Sequence, residues 1–154
     1  MIYLGQTYAE GNKPSRHYDE AWSIMLYPTR GLKHPPQHHP ELAPSKGLYS
    51  ETRRLMDEGA WGLEAFKDIY VPRYIAEHRG SARFKDAMNY LFKMAAERNI
   101  ILMCSCADGS LCHRSIVGGL LDGALSAAGR PGLVDGAPPE GGEYYRMWKA
   151  RAGK

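Results

Sequence analysis

The sequence predicts an α/β fold: one compact domain over residues 1–154, built as a three-layer sandwich with a small, partly parallel sheet flanked by helices. Three observations lead there. Short apolar runs alternate with segments of helical periodicity, and strand–helix–strand order implies parallel pairing through crossovers. The runs "AWSIMLYP" and "IILM" are almost continuously apolar, as in strands covered on both faces. A chain of 154 residues is long enough to bury a core without disulfide or metal staples.

The elements follow in order. "IYL" (Ile2 to Leu4) reads as a short strand ended by Gly5, with a polar loop through Asp19. Ala21 to Pro28 reads as a second strand, stopped by its proline. The Pro- and His-rich "GLKHPPQHHPELAPS" is a loop. Ser45 can cap a helix carrying Leu48, Leu55 and Met56, with Gly59 just past its end. Trp61, Leu63, Phe66, Ile69 and Tyr70 mark a further helix that Pro72 should kink or restart. The clearest helix covers Ala82 to Arg98, where Phe84, Met88, Leu91, Phe92 and Ala95 share one face. "IILM" (Ile100 to Met103) is a central strand. After "ADGS" a helix recurs with Ile116, Val117, Leu120, Leu121 and Leu125 on one side, stopped by Gly129 and Pro131. "GLVD" is a candidate last strand, and Glu143 to Arg151 a final helix.

Composition narrows the function. Hydrophobic residues at 44% and charged residues at 24% fit an ordinary globular protein, and a net charge of +3 permits an anionic ligand without demanding nucleic acid. No apolar stretch approaches the roughly 20 residues that span a bilayer, and the N-terminus lacks the regions of a secretion signal. A cytoplasmic protein without membrane partners is expected. Its three cysteines are odd in number and clustered, which suits reduced thiols better than disulfides.

All three lie in "MCSCADGSLCHRSIVGG", Met103 to Gly119. In open α/β sheets ligands bind beyond the carboxyl ends of the strands. A helix N-terminus there adds free amides and partial positive charge. Ser110 is the expected cap, with Cys112, His113 and Arg114 in the first turn. Cys106 and Cys112 are the candidate nucleophiles and His113 the acid/base, since a helix start and a neighbouring cation both favour thiolate. Cys104, two residues before Cys106, points to the same face in extended chain. Gly109, Ser110 and Arg114 form the candidate anion cradle. Cys104, Cys106, Cys112 and His113 are also a legitimate tetrahedral zinc set, although adjacent Cys112 and His113 diverge on a helix start. No cofactor is otherwise expected. Cysteine phosphatases separate Cys from Arg by five residues; here the sixth residue after Cys106 is Cys112, and Arg114 lies too far along. His34, His38 and His39 sit in a solvated loop that could bind a metal, and His17 and His78 have no identifiable partners.

The segment "IILMCSCADGSLCHRSIVGGLL", followed by "GRPGLVD", resembles the bacterial family called domain of unknown function 488, whose hallmark is a hydrophobic strand, a cysteine-containing loop and Cys-His-Arg opening a helix. "YPTRGL", "ELAPSKGL" and "WGLEAFKDIY" are similar to its YeaO-like branch, and the similar segments span about residues 22 to 135. Two departures stand out: YeaO-like proteins often lack the Cys-His-Arg, and Pro72 interrupts a helix. The resemblance implies a three-layer α/β domain and a binding arginine at the end of an early strand, here Arg30. It implies no particular activity.

Three functions are consistent with these residues. One is an enzyme acting on a phosphate-bearing substrate, a nucleotide or nucleic-acid component, with Arg30 and Arg114 as anion holders. Another is a non-catalytic module binding a nucleotide or nucleic-acid phosphate. The third is a zinc-stabilised interaction domain.

Overall fold

The computed structural model describes residues 1–12, 18–106 and 108–150, so His17, Ala107 and Arg151 lie outside the described residues. Its centre is a four-stranded parallel sheet in the order β1 (Ile2–Gln6), β4 (Ile100–Cys104), β2 (Glu20–Ser23), β3 (Gln37–His38). Ile2 pairs with Ile100 and Gln6 with Cys104; on the other side Glu20 pairs with Ile100 and Ser23 with Met103. All strands therefore end together, next to the cysteine loop. The sheet is wholly parallel where the sequence suggested only partial parallel pairing.

β4 is buried along its whole length, which requires cover on both faces. The helix α6 (His113–Ala127) provides one cover: a Cβ on Gly118 would stand 2.7 Å from Leu4. A short helix, α1 (Thr7–Gly11), lies on the other face, where a Cβ on Gly5 would meet both Ile101 and Glu10. Gly5 is thus a point of close approach inside β1, and does not end it. The polar stretch after β1 held no periodic signal, and α1 was not expected.

Remaining helices follow the sequence closely. Ser45 Oγ accepts from Leu48 N at 3.1 Å and opens α2 (Lys46–Asp57), which closes before Gly59 at φ +72°. α3 (Leu63–Ala65) passes into a π-turn over Phe66–Tyr70 and then α4 (Val71–Arg79). Pro72 explains the widening. It has no N–H for the carbonyl of Asp68 and its ring crowds that carbonyl, so the turn before it opens to i→i+5 bonding and Val71 N reaches Phe66 O. α5 (Ala82–Met94) is capped by Ser81, whose Oγ accepts from Phe84 N at 3.1 Å. α7 (Gly141–Lys149) packs on α6, where Gly119 and Gly123 leave room for Tyr144 and Tyr145.

Two expected strands shrink. The second ends at Ser23, although Ile24 N still bonds Met103 O at 3.0 Å; beyond it the sheet neighbour has become the cysteine loop. "GLVD" contributes one bridge, Ile2 to Val134. The His-rich loop contains β3, with His38 Nε2 2.8 Å from Met25 O and His39 stacked 3.7 Å from Trp22. His78 does have partners, stacking on Phe84 at 4.5 Å. No helix among the described residues is long and apolar enough to cross a membrane.

Candidate functional site

β4 ends at Cys104, the loop carries Cys106, and Cys112 begins α6, so topology brings the three thiols together. Cys104 Sγ stands 3.3 Å from Cys106 Sγ and 3.0 Å from Cys112 Sγ, and all three sulfurs lie within 4.8 Å of one another. Cys104 and Cys112 are buried, whereas Cys106 is partly accessible. Ser110 does not cap α6. Asp108 instead opens a 3₁₀ turn over Gly109–Leu111, its carboxylate accepting from Ser110 N at 3.0 Å, and Cys112 takes the N-cap position without a side-chain bond. Ser110 Oγ itself donates to the same carboxylate at 2.6 Å, so its hydroxyl is engaged away from the helix amides.

The electrostatics single out Cys106. S–H donation from Cys104, then from Cys112, holds its thiol well below the ordinary range, helped by the Arg114 guanidinium. The same bonds push Cys104 upward, and burial raises Cys112. The site therefore favours negative charge on its most accessible sulfur. His113 is buried. Its Nε2 donates to the Ile24 carbonyl at 2.6 Å, which leaves Nδ1 as an acceptor 3.6 Å from Cys112 Sγ and 3.9 Å from Cys104 Sγ. Burial lowers its pKa, so it is a neutral imidazole beside the thiols.

Arg114 does other work than the sequence suggested. It is 7% exposed, and its guanidinium donates to the carbonyls of Gly5, Cys104 and Cys106, the latter two at 3.2 Å. Gly109 makes room for it: a Cβ there would stand 2.5 Å from Arg114 Nη2. Gly109 is thus required by close approach, since it is not among the positive-φ glycines. Gly109, Ser110 and Arg114 line a different cavity from the thiols, with Asp135 on its wall. The expected crevice shared by Arg30 and Arg114 does not form, because the guanidinium is consumed in joining β1 to the cysteine loop.

Arg30 does reach the thiols' cavity. This cleft of about 450 Å³ has Cys104, Cys106, Cys112 and His113 at its base. Its walls include Arg53 and Trp61, and Tyr8, Tyr27, Tyr49 and Met56 stand at 53%, 53%, 37% and 47% exposure. Only one further large hydrophobic residue, Leu63, is similarly exposed among the described residues, so the unpaid exposure of apolar surface is concentrated at this one cleft. No ion-pair partner of Arg30 or Arg53 lies within 4 Å among the described residues. Arg53 and the tyrosines escaped the sequence reading. One signal existed: Tyr49, Thr52, Arg53 and Met56 recur at helical spacing on the face of α2 that adjoins Leu48 and Leu55.

The metal reading can be weighed on distances. Three thiolates held by tetrahedral zinc at about 2.3 Å stand roughly 3.8 Å apart. The 3.0 and 3.3 Å separations here are shorter than that, and Cys104, Cys106 and Cys112 are the residues that could hold an ion, their sulfurs lying within 4.8 Å of one another.

A family model described as DUF488-N3a, the active DUF488-N3 subclade, matches residues 9–125. No curated protein and no solved structure matches the chain.

Proposed function

The chain belongs to the DUF488 family, and from that premise we propose that it is a cytoplasmic thiol enzyme that attacks a phosphate-bearing substrate with Cys106. The observation that carries this reading is the accessible Cys106 sulfur at the base of a cleft, with a buried thiol 3.3 Å behind it as hydrogen-bond donor. Donation from Cys104 and Cys112 stabilises the thiolate, which is the nucleophilic form. Neutral His113 can take a proton from Cys112 or Cys104 at Nδ1 and return it as bonding among the sulfurs changes during attack. Arg30 and Arg53 line the cleft without an ion-pair partner among the described residues and suit a phosphate oxygen; Arg114 enters only by fixing the loop that carries Cys106. The rings of Tyr27, Tyr49 and Trp61 suit a planar group such as a nucleobase. The matched subclade is described as active, which agrees with a retained nucleophile.

The test is alkylation followed residue by residue. Cys106 should react with iodoacetamide much faster than free cysteine at pH 6, where an ordinary thiol is almost wholly protonated. Equal, slow labelling of all three cysteines defeats the reading. The rings and arginines do not depend on the thiols, so a non-catalytic nucleotide-binding module is the second reading. Unchanged nucleoside-phosphate binding by Cys106→Ser, with no turnover detected in wild type, would favour it.

A further inference from the structure

Cys104 has a place that nucleophilic catalysis by Cys106 alone does not require. It touches both other thiols, 3.3 Å from the accessible sulfur and 3.0 Å from the buried one. We propose that the three thiols form a disulfide relay, in which Cys106 is oxidised by a hydroperoxide and the resulting bond is passed inward to Cys104 and Cys112. This rests on Cys106 being the accessible nucleophile of the function proposed above.

The steps balance. Cys106 thiolate attacks the outer oxygen of a hydroperoxide; the O–O bond breaks, the alcohol leaves with a proton from solvent, and Cys106 becomes a sulfenic acid. The Cys104 thiol then attacks that sulfur, forming the Cys104–Cys106 disulfide and releasing water. Finally Cys112, losing its proton, attacks Cys104, forms the Cys104–Cys112 disulfide and expels Cys106 as thiolate. The peroxide is reduced by two electrons and two thiols are oxidised by two electrons. To restore the resting state, Cys106 thiolate attacks Cys104 and expels Cys112, and an external dithiol then reduces the Cys104–Cys106 disulfide at the accessible Cys106 sulfur.

The sulfur separations favour each transfer, and rotation of the Cys112 side chain brings its sulfur toward the Cys104–Cys106 axis. A disulfide needs about 2 Å between sulfurs, so each link closes by little more than 1 Å. His113 Nδ1, 3.6 Å from Cys112 Sγ, is placed to take the proton that Cys112 must lose. The last step runs inward because the sulfur expelled is the one whose anion this site stabilises best. The outcome is a freed nucleophile in the cleft and a disulfide out of reach of solvent.

The experiment treats the reduced full chain with one equivalent of tert-butyl hydroperoxide, quenches with acid, alkylates the free thiols and maps the cysteines by mass spectrometry. The expected result is loss of two thiols per chain, a Cys104–Cys112 disulfide and alkylated Cys106. Cys104→Ser should accumulate sulfenic acid on Cys106, trapped by dimedone, and Cys106→Ser should lose its thiols on the order of 10-fold more slowly. Circular dichroism shows whether the variants fold, and the wild-type map decides the question without them. Sulfinic acid building up on Cys106 while Cys104 and Cys112 stay reduced would overturn the relay and leave the nucleophile intact. Equally fast oxidation of Cys106→Ser would overturn it too. Slow alkylation of Cys106 in the untreated chain would instead remove the nucleophile on which the relay rests.

Discussion

Replacing Arg114 by Ala separates a structural arginine from an anion-binding one, and the structure gives the size of the effect. The side chain is 7% exposed and donates to three main-chain carbonyls, of Gly5, Cys104 and Cys106. The bond to Cys104 O is buried, and leaving that acceptor unpaired costs about 1–3 kcal/mol. The other two bonds are partly buried, so water can replace the donor at about 1 kcal/mol each. Against this, the substitution removes a positive charge from the first turn of α6, which returns about 0.3–1 kcal/mol. The net loss is about 2–4 kcal/mol, a large share of the ~5–15 kcal/mol of a typical domain. In a chain of this length it lowers Tm by roughly 4–16 °C. Urea and thermal unfolding of wild type, Arg114→Ala and Arg114→Lys measure it. Lys should rescue little, because one ammonium cannot span three carbonyls held by a planar fork. Gly109→Ala supplies the second half of a double-mutant cycle: its Cβ crowds Arg114 Nη2, so its cost should largely vanish in the Arg114→Ala background. Unchanged stability of Arg114→Ala, together with a loss of phosphate binding, would refute the bracing role.

Three further outcomes are expected. Purified protein should contain far less than one equivalent of zinc by elemental analysis, given sulfur spacings of 3.0 and 3.3 Å; stoichiometric zinc released by a thiol reagent would restore the metal reading. Stability should fall as pH drops below about 6.5, because burial holds His78 and His113 below their ordinary pKa and the unfolded chain takes up those protons first. The contribution is complete above the unfolded value and declines by up to about 1.4 kcal/mol per pH unit for each proton, seen as a fall in urea midpoint between pH 7 and pH 5 that His113→Asn should reduce. Arg30→Ala and Arg53→Ala should each weaken nucleoside-phosphate binding about 10-fold or more by calorimetry while leaving Tm within about 2 °C, since neither side chain has an ion-pair partner among the described residues.

The sequence by itself determined what depends on neighbours along the chain. Helical periodicity located α5 and α6, Ser45 and Gly59 bounded α2, and the unbroken apolar run of Ile100 to Met103 marked the central strand. It also located the thiols, because a strand end followed by a helix start is a local pattern, while Arg30 came from the family resemblance. Pro72 restarts the helix as its chemistry requires, at α4; the sequence's reach ended where local choices competed, with Asp108 capping a 3₁₀ turn and Cys112, not Ser110, at the N-cap of α6, and with a widened turn before Pro72. Tertiary structure decided the rest. That Cys104 touches both other sulfurs depends on how α6 returns over β4, and no spacing rule contains that distance. Arg53, Tyr8 and Tyr49 join Arg30 only because elements distant in sequence converge on one cleft. Arg114 changed its role for the same reason. Whether a guanidinium meets a ligand or a carbonyl depends on what the fold brings within its reach, and here β1, nearly 110 residues earlier, supplies the Gly5 carbonyl.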